Sequence, residues 1–232
     1  MVWHCNDRAL LGLAQDCQDT MNKPILYGSD YSVYVRSARL VLIEKEVEYE
    51  LVPIDIFAKD RLPSNYVDHH PFGRIPAFDD AGFRLYETGA ITRYIDEAFP
   101  AYPLQPTTAQ ERARVNQVIS IADSYIYPHL VWGFYVEQVS NPQQGKATAE
   151  EKMAEARIAA PICLKALSDL MNGKPWLSGT NLTLADLHVA PMIDYFLMSD
   201  EAHRLFETFP DLASWWSRMS QRASMKMTKP SS

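Results

Sequence analysis

Cysteine is scarce in this chain, with three among 232 residues at Cys5, Cys17 and Cys163. An odd number at wide spacing supports neither a disulfide framework nor a zinc site, and points to a reducing compartment. Positive charge is thin as well. The net charge is −7 at pH 7, and no run of Lys or Arg forms the cationic footprint that nucleic acid requires. Long apolar runs are also missing. The stretch Ala9-Leu10-Leu11-Gly12-Leu13-Ala14 is too short to span a bilayer and lacks a basic flank and a small-residue cleavage site. The expectation is a cytoplasmic protein with neither nucleic acid nor membrane as partner. Internal repeats and low-complexity segments are absent. What is present is an ordinary globular composition, 47% hydrophobic and 11% aromatic, enough for one large or two small domains.

Residues 1–23 read as an N-terminal extension of unknown role. Ile25-Leu26-Tyr27, stopped by Gly28, predicts a first strand. Ala38, Val41 and Leu42 then recur at helical spacing behind Ser32, a natural cap, over about 32–45. Val47, Tyr49 and Leu51 alternate as a second strand. Two further strands, 74–78 and 83–86, flank the turn-rich Asp79-Asp80-Ala81-Gly82, and a helix over 87–98 completes the unit. This order, βαβ-α-ββα, fits a small mixed sheet of thioredoxin-like pattern over 24–99. Pro100, Pro103 and Pro106 mark 100–107 as a stiff linker, and from 108 to 232 only helical signals follow. The first of these helices, about 108–139, contains Pro128, which predicts a kink or a break. Thr148-Ala149-Glu150-Glu151 and Thr183-Leu184-Ala185-Asp186 read as capping boxes, the second before a helix apolar enough to be the buried centre of its domain.

The most specific local text is His70-Pro71-Phe72-Gly73-Arg74-Ile75-Pro76-Ala77-Phe78-Asp79, followed by Glu87-Thr88-Gly89-Ala90-Ile91. A proline inside a short strand lacks a ladder donor, so Pro76 belongs where the strand edge meets a ligand. With Ile75-Pro76 in the cis form, the N–H and C=O of Ile75 are placed to pair with an extended peptide. Glu87 and Thr88 open a helix, whose unpaired N–H groups and dipole favour an anion. Ser32 opens another, offering a hydroxyl beside N–H groups of the same kind.

Together with Tyr27-Gly28-Ser29, Arg36, Pro175-Trp176-Leu177-Ser178-Gly179 and Leu182-Thr183-Leu184-Ala185-Asp186, these residues resemble the cytosolic glutathione transferase family, in its phi, theta and bacterial branch. The likeness runs from Pro24 to about Arg222. It implies a thioredoxin-like glutathione domain of α/β type, an all-α second domain, an acceptor cleft between them and a homodimer. It also implies glutathione as co-substrate and a small hydrophobic electrophile as acceptor, with no metal. Ser32 is then the donor that holds the glutathione thiol as a thiolate, with Tyr31 and Ser29 as rivals at the same turn. Ile75 and Pro76 would clasp the peptide, Glu87 and Thr88 its γ-glutamyl end, and Arg74, Lys59 and Arg61 its carboxylates or backbone. Arg36, one turn after Ser32, is either a source of positive field at the thiolate or an exposed charge. His69 and His70 read as loop residues, because adjacent side chains diverge and a third ligand at suitable spacing is lacking.

Positions 32 and 35 are Ser and Val, so the dithiol chemistry of thioredoxin-like redox proteins is excluded. Tyr125, His129 and Trp132 share one helical face at i, i+4, i+7 and are expected to wall the acceptor pocket, with Tyr34 opposite; packing between helices is the alternative. Asp186 is assigned to structure. A non-catalytic scaffold on the same fold, peroxide reduction, and a glutathione-dependent isomerase or dehalogenase stay open as alternatives.

Overall fold

The computed structural model describes residues 23–58 and 62–230. The expected N-terminal extension, up to residue 22, and the cation candidates Lys59 and Arg61 lie outside them.

Strand β1 (Ile25–Tyr27) leads through helix α1 (Val33–Glu44) to β2 (Glu50–Val52), which pairs with β1 in parallel. A short 3-10 turn (Tyr66–Asp68) precedes β3 (Ala77–Asp80) and β4 (Phe83–Tyr86), an antiparallel hairpin, and α2 (Thr88–Ala98) closes the unit. The sheet order is β2-β1-β3-β4, with β3 antiparallel to β1. The hairpin turn is Ala81-Gly82, both at positive φ, with Gly82 N–H donating to Asp79 at 2.7 Å. That is the backbone that a two-residue loop between twisted strands needs.

β3 begins at Ala77, three residues later than the expected start at Arg74. Pro76 has no N–H to give a ladder and restricts the residue before it, so sheet pairing starts only beyond the proline.

The second unit is all helical: α3 (Ala109–Ile121), its continuation as a π-helix (Ala122–Ser140) and final turn (Asn141–Gln143), then α4 (Glu150–Met171), α5 (Leu184–Phe196), α6 (Asp200–Phe206), α7 (Pro210–Ser220) and α8 (Ala223–Met227). All residues of α5 except Asp194 are buried, as its composition predicts. One apolar core joins the units, running from Leu26, Val41, Phe78 and Ile91 to Ile126, Leu164, Leu187 and Ile193.

Pro128 produces no break. The helix has already changed at Ala122 to bonding five residues back, as in Asn141 N–H to the Val136 carbonyl, and this wider ring relieves the clash a proline makes in α-helical register. Gly133 sits where this wide helix meets α4: a Cβ there would stand 2.4 Å from Cβ of Ala156. Gly133→Ala is therefore expected to destabilise the fold by about 1–3 kcal/mol, read as a lower denaturant midpoint, despite alanine's better helix propensity.

Two sequence readings are corrected by packing. Thr148 does not cap α4, whose N-cap is Ala149; instead the Thr148 hydroxyl donates to the Glu137 carbonyl at 2.9 Å, and the Glu137 carboxylate accepts from Ala149 N–H at 2.7 Å. A buried acid from the preceding helix thus takes the capping role. Arg36 is not an exposed charge. It is 1% exposed, with Nη1 2.5 Å from Asp194 of α5, Nε donating to Thr228 and Nη2 to the Met225 carbonyl. Its guanidinium is spent on fastening α1 to the helical unit. The 100–107 segment is likewise pinned: Leu104 is buried, its N–H donates to Asp96 at 2.8 Å and its carbonyl accepts from Leu184.

Candidate active site

A cleft of about 1120 Å³ between the sheet unit and the helices is lined by Tyr31, Ser32, Tyr34, Arg74, Ile75, Pro76, Glu87 and Thr88 on one side, and by residues of the wide helix on the other. Residues more than forty positions apart in the chain meet here because β1, β3 and the starts of α1 and α2 lie side by side.

Ser32 caps α1 with extended backbone, and its Oγ accepts from Val35 N–H at 3.4 Å. Gly28, just ahead of this turn, lets the chain approach α1: a Cβ there would stand 2.3 Å from Cγ2 of Val35. The rival hydroxyls of the turn donate elsewhere. Ser29 Oγ donates to the Ile54 carbonyl at 2.6 Å, and Tyr31 Oη donates to Asp55 at 2.9 Å. Burial and the Asp55 hydrogen bond push the Tyr31 phenol up to about 12, which keeps its proton on Asp55's side. Ser32 only accepts from its helix, so its own proton can turn to the cleft. From the second unit, Tyr195 Oη donates to the Tyr31 carbonyl at 2.8 Å and so holds the turn against α5.

The Ile75-Pro76 bond is cis. Because the ladder begins at Ala77, the main chain of Ile75 stands outside the sheet beside the cleft. The Tyr66 hydroxyl donates to the Arg74 carbonyl at 2.7 Å and anchors the segment from behind. Glu87 holds φ 70, ψ 115, an unusual backbone for a residue with a Cβ. Such strain costs about 1–3 kcal/mol and concentrates at functional sites. Its carbonyl starts α2 by accepting from Ala90 and Ile91, while Thr88 and Gly89, in the first turn, line the cleft. The first-turn N–H groups of a helix have no intrahelical acceptor.

His70, read from sequence as a loop residue, is buried and lines the cleft, its ring 5.1 Å from that of Tyr86. Burial lowers its pKa, offset in part by Glu87. Its place at the head of the run that leads to Ile75-Pro76 was the one sequence signal of that position.

On the helical wall, Trp132 lines the cleft, whereas Tyr125 and His129 are not among its lining residues; Tyr125 is 58% exposed. Asp123, Tyr127, Val131, Tyr135, Val136 and Ser140 take their place. These positions recur every four to five residues, the period of a helix bonded five residues back, so a face drawn at 3.6 residues per turn selects different side chains. Among the described residues no cluster of His, Cys, Asp or Glu could hold a metal ion, and no helix is long and apolar enough to cross a membrane.

This fold is that of the glutathione transferases. Residues 23–97 match the family model described as glutathione S-transferase, N-terminal domain, and residues 125–223 match the C-terminal domain of the same family. The chain belongs to the glutathione S-transferase family. Among curated relatives, glutathione S-transferase F14 of Arabidopsis thaliana is 30% identical over 196 residues, covering 82% of this chain and 77% of that protein. Glutathione S-transferase APIC of Nicotiana tabacum is 28% identical, covering 82% and 89%. The fold is shared with glutathione transferase F2 of Populus trichocarpa, at a TM-score of 0.80 and 24% identity over 88% of this chain and 96% of that one. A glutathione S-transferase of Rhodospirillum rubrum matches at a TM-score of 0.76 and 24% identity, covering 90% and 93%.

Proposed function

We propose that this chain ionises the thiol of glutathione beside Ser32 and delivers the thiolate to a small hydrophobic electrophile in the cleft between its two units. A free thiol of pKa about 8.5 is only a few per cent ionised at neutral pH, and lowering that value by about two units takes roughly 2.7 kcal/mol of preferential binding of the thiolate. The start of α1, worth on the order of 1 kcal/mol, and the Ser32 hydroxyl, worth about 1.5–3 kcal/mol as a hydrogen bond to a charged group, together supply it. Ile75 offers its main chain to the peptide, Thr88 and the first turn of α2 receive the γ-glutamyl carboxylate, Glu87 faces the amino group, and Arg74 attracts a carboxylate. In substitution at an aromatic halide, the sulfur lone pair forms the C–S bond, and the halide leaves with the electron pair of the C–X bond.

The observation that carries this reading is the state of the three hydroxyls at one turn: Ser29 and Tyr31 donate to protein acceptors, and Ser32 is left facing the cleft. Tyr31→Phe is accordingly expected to leave kcat/KM within about threefold, since the lost bond reaches Asp55 and not the thiol. A fall of the size expected for Ser32 would transfer the donor role to Tyr31. Retention on immobilised glutathione together with turnover of an aromatic halide tests the function as a whole. Retention without turnover across a broad panel of electrophiles would assign the chain to the scaffold class instead.

The same reading extends to a cytoplasmic homodimer. Phe72 is 70% exposed and Tyr86 40%, their rings 6.1 Å apart, an apolar pair on the surface that a second copy would cover. Sedimentation analysis of wild type and Phe72→Ser reads this directly, with a dimer expected for the first and a shift toward monomer for the second.

A further inference from the structure

A carboxylate stands among aromatic rings in the cleft, whose other charged lining residues are Arg74, Glu87 and Lys146. Asp123 of the wide helix lines it together with Tyr34, Tyr127 and Trp132. Its Oδ1 lies 2.7 Å from Nε2 of His188, whose imidazole is 1% exposed in α5, while the Asp123 side chain keeps 43% exposure. The other ring nitrogen of His188 is buried without a partner. A proton on Nε2 fits this contact: it donates to the carboxylate and fixes its direction. Among the described residues Asp123 has no Lys or Arg within ion-pair distance.

The rings around this carboxylate stand at angles to one another. Tyr34 and Tyr127 have centroids 4.7 Å apart, and Tyr127 meets Trp132 at 6.4 Å and 89°. Aromatic faces set at 52° and 89° to one another beside one oriented carboxylate form a receptor for an organic cation, which is drawn to the ring faces and to the counter-charge together. For a site that must ionise a thiol, Asp123 is otherwise a liability, because a second negative charge in the same cleft raises the thiol's pKa. A cation carried by the acceptor removes that penalty at the moment of reaction. Burial, and then the charge of Asp123 and the hydrogen bond the phenol gives it, push the Tyr34 phenol upward, so Tyr34 is an uncharged wall and a second donor that orients the carboxylate.

We propose that the acceptor half of the cleft takes electrophiles bearing a quaternary or protonated amine, held against Tyr34, Tyr127 and Trp132 with Asp123 as counter-ion. This substrate class rests on the transferase reading, and the test separates the two. Benzyltrimethylammonium and its uncharged isostere neopentylbenzene are titrated into the glutathione-loaded protein, with Trp132-dependent fluorescence giving each Kd. Wild type is expected to bind the cation about tenfold more tightly than the isostere, and Asp123→Asn, at a half-exposed position, to lose most of that ratio. The preference should also shrink with added salt. Equal affinities in wild type, or an unchanged ratio in Asp123→Asn, overturns the proposal. Turnover of a neutral aromatic halide is measured on the same preparation. Turnover without cation preference keeps the transferase and removes the cation site, whereas cation preference without turnover keeps the site and removes the transferase.

Discussion

Ser32→Ala is expected to lower kcat/KM for a generic aromatic halide by about a hundredfold, with glutathione still bound. Loss of one preorganised donor at a developing or resident anion typically costs about 2.7–4 kcal/mol in enzymes of other classes, and no neighbouring hydroxyl is free to replace it. Ser29 is committed to the Ile54 carbonyl and Tyr31 to Asp55. The peptide-binding elements, Ile75-Pro76 and the start of α2, are untouched, so the loss should fall mainly on the chemical step. Because the Ser32 Oγ also accepts from Val35 N–H, the variant should lose about 1 kcal/mol of stability as well. A melting curve separates this from the catalytic effect: a folded variant with near-normal glutathione affinity and a hundredfold deficit fits the role assigned to Ser32. A deficit of less than threefold does not.

Asp186→Ala carries the largest expected effect on stability, a loss of about 3–5 kcal/mol. The carboxylate is wholly buried and accepts from Leu177 N–H at 2.9 Å, Thr183 N–H at 2.8 Å, the Thr183 hydroxyl at 2.9 Å and Trp215 Nε1 at 2.9 Å. Burial pushes its pKa up, and these bonds work in the opposite sense. Removing it strands several buried donors at once, each costing about 1–3 kcal/mol before relaxation. It also uncaps α5, the helix on which the second unit packs. Urea unfolding reads the loss, and Trp215→Phe, which removes only one of the donors, should cost a smaller share. Equal losses in the two variants would place the stabilisation in the tryptophan's packing and not in the carboxylate.

How far the site could be read from sequence followed the range of the interactions that build it. The local structure at Ser32, Ile75-Pro76, Glu87 and Thr88 was legible because it is set within a turn: a cap, an imide bond without an N–H, a helix start. Asp186 was legible for the same reason, as the third residue after Thr183, although its bonds to Leu177 and Trp215 were not. Arg36 was misplaced because its partners lie at Asp194, Met225 and Thr228, far along the chain, and nothing local distinguishes a guanidinium that crosses to another unit from one in solvent. Thr148 lost its capping role to Glu137 on the same grounds. The acceptor wall was legible only at Trp132, through geometry. Tyr125, His129 and Trp132 share a face at the α-helical period, but from Ala122 the bonding ring widens, and Tyr127, Val131 and Tyr135 line the cleft beside Trp132 in place of Tyr125 and His129. Pro128 marked the disturbance without revealing its form.

The central claim, that this cleft holds glutathione as a thiolate beside Ser32, is tested most directly by titrating the ultraviolet absorbance of the thiolate in the protein–glutathione complex. In wild type the bound thiol should ionise about two units below the free value of about 8.5, and in Ser32→Ala its pKa should return most of the way toward that value. A bound thiol that titrates like free glutathione in wild type, or that keeps its lowered pKa in Ser32→Ala, would contradict the account.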